Sequence, residues 1–89
     1  MTEVVLNGSE ITSKDELHDL LARELAFPEW YGRNLDALYD CLTDRTEDAA
    51  ITLLEAHALE EHLGRYARSF IRTLKDIAAE NPHIHADIQ

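Results

Sequence analysis

Apolar positions change their spacing several times along the chain, and each change marks an element. Val4-Val5-Leu6 is a short apolar run halted by Asn7-Gly8, which predicts a first strand and its turn. Ser13-Lys14-Asp15-Glu16 has the form of a capping box, in which Ser13 and Glu16 satisfy each other's backbone donors at a helix start. The apolar stripe of that helix is Leu17, Leu20, Leu21 and Leu25, and it ends before Pro28. Pro28 and Gly32 punctuate a tight connection, and Asn34 is a good N-cap for a helix over 34–43 that buries Leu35, Leu38 and Leu42. Ala49-Ala50-Ile51-Thr52-Leu53-Leu54 is too short for a comfortable helix and apolar at nearly every position, so it predicts a central strand buried on both faces. A short helix over 58–62 closed by Gly64 is expected next. A longer one follows over 65–79, with Ala67, Phe70, Ile71, Leu74, Ile77 and Ala78 at helical spacing and Asn81-Pro82 as its stop. His83-Ile84-His85-Ala86-Asp87-Ile88 alternates polar with apolar, as a strand with one wet face does.

The order strand, helices, strand, helices, strand has connections long enough to cross over a sheet, and sequential strands joined this way run parallel. The expectation is one α/β domain over residues 1–89, a three-stranded parallel sheet flanked by helices. At 89 residues the chain can build one core but no deep substrate cavity, which points to function at the surface. No apolar run approaches the roughly 18 residues of a membrane span, and the first residues lack the basic start and apolar stretch of a signal peptide. The single cysteine, Cys41, cannot form an intrachain disulfide and fits a reducing compartment, so the cytoplasm is expected. Cys41 lies between Leu38 and Leu42 in helical angle and is expected to be a small buried thiol.

Eighteen acidic against eight basic residues give a net charge of −10, large for a chain of this size. Such a field repels nucleic acid and anionic membranes and speeds encounter with a basic partner. Part of the acidity lies on the helix over 34–43, where Asp36 and Asp40 are one turn apart, with Tyr39 beside them and Asp44 following. Like charges at i and i+4 cost a helix about 0.2–0.5 kcal/mol. Asp36 near the helix start is favoured by the macrodipole, but Asp40 and Asp44 near its end are opposed by it. Carboxylates placed against local preference, next to Trp30, Tyr31 and Tyr39, suggest a recognition surface for a basic protein. Tyr39 at the edge of the apolar stripe should be partly exposed, and at least one of Trp30 and Tyr31 should face a partner.

Other chemistry is poorly supported. The Asp36 and Asp40 pair has no His or Lys on its helix to complete a catalytic set, and there is no phosphate-binding loop or nucleophile elbow, so no enzyme is expected. His83 and His85, or His57 and His62, fall short of the four ligands of a closed zinc site, so no metal or other cofactor is expected.

The stretch Glu24-Leu25-Ala26-Phe27-Pro28-Glu29-Trp30-Tyr31-Gly32-Arg33-Asn34-Leu35-Asp36-Ala37-Leu38-Tyr39-Asp40-Cys41-Leu42-Thr43 closely resembles the signature of the barstar family, bacterial intracellular ribonuclease inhibitors. The resemblance extends more weakly over the Asn7-Gly8 turn, Asp15-Glu16-Leu17-His18 and the strand from Ile51 to Glu55. It implies the parallel sheet and flanking helices inferred above, and an inhibitor that blocks the active site of a basic ribonuclease. It further implies that Asp40 is the central contact, entering a phosphate site among Arg and Lys side chains, and that Asp36 pairs with a second basic or catalytic group. Trp30 would pack on the enzyme's catalytic histidine, Tyr39 would be another aromatic contact, and Gly32, Asn34 and Thr43 would surround them. Asp76 aligns with a family glutamate that contacts the enzyme. The chain departs from the family where Thr43 is followed by Asp44 and Arg45 in place of a small residue and an aromatic. Asp44 joins the expected contact set, and Arg45 sets a positive charge at its edge. The alternative reading is a non-immunity module whose acidic face binds another basic protein or regulator.

Overall fold

Strand β1 (Thr2–Asn7) runs parallel to β2 (Ala49–Leu54), and β2 runs parallel to β3 (Ile84–Ile88) in a computed structural model that describes residues 1–89. The sheet order β1-β2-β3 follows the chain. Val4 lies opposite Ile51 and Leu6 opposite Leu53 in the first pair, and Ala49 lies opposite Ile84 in the second. Helices α1 (Lys14–Glu24) and α2 (Leu35–Thr43) connect β1 to β2, and α3 (Ala56–Leu63) and α4 (Arg65–Glu80) connect β2 to β3. The α/β architecture, the parallel pairing and the central place of β2 agree with the sequence reading.

One expectation fails. Ala49, Ile51 and Leu53 are fully buried, but Ala50, Thr52 and Leu54 are only half-buried, so β2 is covered completely on one face alone. Two crossovers of like hand that step the same way across a sheet bring their helices to the same side. The other side carries Glu3, Ala50 and His85 in one row and Val5, Thr52 and Asp87 in the next. An apolar run on both faces is therefore no guarantee of burial when the crossovers do not alternate.

The core is one cluster beneath the helices, with Phe70, Leu74 and Ile77 of α4 and Leu38 and Leu42 of α2 packed over Val4, Leu6, Ile51 and Leu53. Burying each such side chain contributes about 1.5–3 kcal/mol. In α1, Leu17 and Leu21 are buried and Leu20 is half-buried. The cap of α1 differs from the expected reciprocal pair. Ser13 Oγ accepts from the Glu16 amide at 3.1 Å, but the Glu16 carboxylate accepts from the Thr12 amide at 3.1 Å and the Thr12 hydroxyl at 2.6 Å instead of from Ser13 N–H. These donors hold the Glu16 carboxyl below its usual range, the Thr12 hydroxyl most strongly.

Gly8 closes β1 at a point of close approach. A Cβ there would lie 2.2 Å from the Glu55 carbonyl oxygen and 2.9 Å from Leu59 Cβ, so the start of α3 can pass only a residue without a side chain. At the opposite end of the fold, Asn81 is buried and does more than stop α4. Its amide nitrogen donates to the carbonyls of Leu42 at 2.8 Å and Arg45 at 2.9 Å, and its oxygen accepts from the His83 amide at 3.0 Å. Leu42 O also accepts from the Arg45 amide at 3.3 Å, so the Asn81 side chain adds a second bond there, satisfies the Arg45 carbonyl and fixes α2 against the entry to β3.

Candidate functional site

Helix α2 begins as the sequence implies: Asn34 Oδ1 accepts from the Ala37 amide at 2.8 Å, and Asn34 Nδ2 donates to the Gly32 carbonyl at 3.2 Å. Both residues expected at the margin of the contact surface therefore also build the helix start. Leu38 and Leu42 are buried against α4, and this leaves Asp36 and Asp40 exposed on the opposite face, four residues or about 6 Å apart along the axis. Thr43 is half-buried, and its hydroxyl donates to the Tyr39 carbonyl at 2.7 Å, so its proton is occupied within the helix. Asp44 is the C-cap, with its amide on the Asp40 carbonyl at 3.3 Å.

The chain before α2 supplies the aromatics, and the structure separates the two neighbours. Trp30 is 81% exposed, whereas Tyr31 is 6% exposed and packs against Phe27 with the ring centroids 4.7 Å apart and the planes tilted by 50°. Tyr31 Oη lies 2.7 Å from Nδ1 of buried His18 on α1, and Nε2 of the same ring lies 2.6 Å from Oη of Tyr66 on α4. Burial raises the Tyr31 hydroxyl far above its ordinary pKa and raises that of Tyr66 as well. A second tie holds the loop from outside. Arg33, in the left-handed region at φ 56°, forms a short ion pair with Asp19 and lies 3.5 Å from Asp15. The Asp19 hydrogen bond holds the Arg33 guanidinium up and the Asp19 carboxyl down from their ordinary values.

Between this loop and the end of α2 runs an open groove of about 560 Å³. Its apolar wall is Leu25, Phe27, Pro28 and Trp30, and its polar wall is Asp40, Cys41, Asp44 and Glu47. Trp30, Asp40 and Asp44 are thus brought together. Cys41 is half-buried on the groove wall and not enclosed as expected; burial raises its thiol pKa, helped by the charges of Asp40 and Asp44. Arg45 donates to the Leu25 carbonyl at 3.1 Å, bridging the two sides of the groove. The Arg45 guanidinium is therefore engaged with backbone at the groove's edge.

Asp36 is not part of the groove and sits at the exposed N-terminal end of the helix. Asp76 on α4 comes to the other flank, where its charge acts on Tyr39. Tyr39 is half-buried and its hydroxyl donates to Glu80 in a short bond, which is the main reason its pKa is raised. Sequence reasoning overlooked Glu80 and Glu47. The signal for Glu80 was available: Asp76 and Glu80 are four residues apart on the helix that packs against α2. The surface so assembled is a row of carboxylates flanking one exposed indole on a fixed loop. Its chemistry suits guanidinium, ammonium or imidazolium groups, which it can meet by charge-assisted hydrogen bonds and ring stacking.

No group of three His, Cys, Asp or Glu side chains is arranged to hold a metal. His83 lies outside β3 and pairs with Asp48 at 2.8 Å, while His85 stands on the open face of the sheet. No helix is long and apolar enough to cross a membrane.

Comparison with known proteins assigns this architecture. The family described as Barstar (barnase inhibitor) matches residues 1–88. The chain belongs to the barstar family. A Bacillus subtilis (strain 168) protein named "Putative ribonuclease inhibitor YrdF" is 33% identical over 81 residues, covering 90% of this chain and 89% of the relative. The three parallel strands and four helices are consistent with that family.

Proposed function

We propose that this barstar-family chain is an intracellular inhibitor or immunity protein that occupies the active site of a basic ribonuclease with α2 and the preceding loop. The observation that carries the reading is the convergence of exposed Trp30 with Asp40 and Asp44 on one groove of a −10 chain in a family of barnase inhibitors. Asp40 is the central anion, aimed at cationic groups that otherwise hold RNA phosphates. Asp36 makes a second contact at the helix start, Trp30 stacks on an active-site ring, and Tyr39, Thr43 and Asp76 line the flank. Gly32 and Asn34 keep the loop close to the helix. Without a scissile bond or a catalytic set, the chain mimics the charge of RNA and is not turned over. The cytoplasm is where such an inhibitor protects its own cell.

The test is titration of a basic bacterial ribonuclease with the purified protein, following RNA cleavage. Stoichiometric loss of activity is expected, with an association rate that falls steeply as salt rises from 50 to 500 mM because long-range attraction is screened within about 10 Å at 0.1 M salt. A salt-independent rate would contradict the electrostatic mechanism, and absence of inhibition would remove the assignment.

A further inference from the structure

The recognition loop hangs from the core by one buried side chain, Tyr31, and that side chain ends on an ionisable group. Trp30 and Gly32 flank Tyr31 in sequence and are both exposed, so the backbone that displays them is fixed from below by the Tyr31 ring. The only hydrogen-bond partner of the Tyr31 hydroxyl is His18 Nδ1 at 2.7 Å. The other ring nitrogen meets Tyr66 at 2.6 Å, and Tyr66 is only half-buried, beneath the Lys14 ammonium at 4.5 Å.

This asymmetry selects one tautomer. Tyr31, shut away from water, has no other acceptor for its O–H proton, so Nδ1 must accept and Nε2 must carry the hydrogen that goes to Tyr66. A second proton on the imidazole turns Nδ1 into a donor. The Tyr31 hydroxyl proton then has no acceptor and the ring carries a charge where water is excluded, both of which disfavour the seated loop.

Resting on the inhibitor reading, we infer that His18 is a positioning residue for the ribonuclease-binding loop, holding Tyr31 only while the imidazole is neutral, so that acid loosens the loop and weakens inhibition. The charged groups around the ring are Asp15 and Asp19 on α1, which favour the proton, Arg33 on the loop, which opposes it, and Lys14 beyond Tyr66. Burial is the largest influence and favours the neutral ring, with Arg33 next.

Two measurements test this, one needing no ribonuclease. In the free protein, the His18 ring resonances and the backbone amides of residues 27–34 are followed by NMR from pH 8 to pH 4.5. They are expected to move together with one midpoint below about 6.5, the ordinary histidine value. In His18→Gln, whose amide can accept from Tyr31 and donate to Tyr66 without titrating, the loop amides should stay still. Tyr66→Phe gives a second handle if that variant folds poorly: it removes the Nε2 partner, and both midpoints should drop in step.

In the second measurement, dissociation constants for the ribonuclease are compared between wild type and His18→Gln at each pH, so that titration of the enzyme cancels in the ratio. The two are expected to agree within about threefold at pH 7.5, and the wild type should weaken relative to the variant by up to tenfold per pH unit below the His18 midpoint. Loop amides that ignore His18, or a ratio flat with pH, would overturn the inference. Loss of inhibition by both proteins at every pH would instead refute the ribonuclease reading, and the NMR titration would still decide the role of His18 in holding the loop.

Discussion

Replacing Asn81 with alanine should be one of the more damaging single changes in this protein, although Asn81 is more than 35 residues in sequence from every proposed contact on the loop and α2. The side chain is 4% exposed and makes bonds of 2.8, 2.9 and 3.0 Å to Leu42 O, Arg45 O and His83 N. Each neutral bond contributes a net of about 0.5–1.5 kcal/mol, and a buried group left unpaired costs about 1–3 kcal/mol. Some of the freed carbonyls will reach water as the turn relaxes, so the expected loss is about 2–4 kcal/mol. Urea unfolding should show it as a lower midpoint with the slope unchanged, and thermal melting as a fall of roughly 8–30 °C, at 4–8 °C per kcal/mol for a domain of this size. A secondary effect follows from position: Asp44 and Arg45 sit on the turn that Asn81 holds, so inhibition should weaken even under conditions where the variant is fully folded. A loss below about 0.5 kcal/mol would refute the view that Asn81 fastens α2 to the entry of β3.

Other substitutions probe the rest of the frame. Gly8→Ala forces a methyl against the Glu55 carbonyl and Leu59, and should cost at least about 1–3 kcal/mol by chemical denaturation. Ala26 is left-handed at φ 54° and exposed, so Ala26→Gly should stabilise by about 0.5–1 kcal/mol in the same assay. Stability should also fall as the pH drops below about 6.5, because an unfolded chain takes up the His18 proton that the native chain resists; the loss levels off once the pH is below the native pKa, and His18→Gln should lack this component.

The parts of this molecule that were legible in the sequence are those with local causes. Ser13 and Asn34 announce their helices because capping is a contact between near neighbours. The three strands follow from the spacing of apolar residues, and α4 from its long periodic stripe. Parallel pairing follows from the length of the connections. What escaped the sequence depends on contacts between distant segments. Nothing in Phe27-Pro28-Glu29-Trp30-Tyr31 says which aromatic turns inward, because that is decided by His18, 13 residues before Tyr31, and by Tyr66, 48 residues after His18. Asn81 read as a helix stop, and its bonds to Leu42 and Arg45 exist only once α2 and α4 pack. The open face of the sheet was missed for a related reason: composition reports how apolar a strand is, and the side on which the helices fall is a property of the crossovers. At the candidate site, Asp40 and Asp44 were visible from their opposition to the helix dipole. Glu80 and Glu47, brought in from α4 and the turn, were not.

The central claim is that Asp40 at the groove is what the ribonuclease's cationic site grips. The direct measurement is the inhibition constant of Asp40→Ala beside that of Glu61→Ala, an exposed acid on α3 that leaves the net charge equally changed. Removing one partner of a buried, hydrogen-bonded charge pair costs about 2–5 kcal/mol, or roughly thirty- to several-thousand-fold in affinity; that range draws on barnase and barstar pairs themselves and is transferred to this chain. Asp40→Ala is expected to weaken inhibition by that factor, and Glu61→Ala by less than about threefold. Equal effects would contradict the account, because they would show that bulk acidity and not this carboxylate carries the binding.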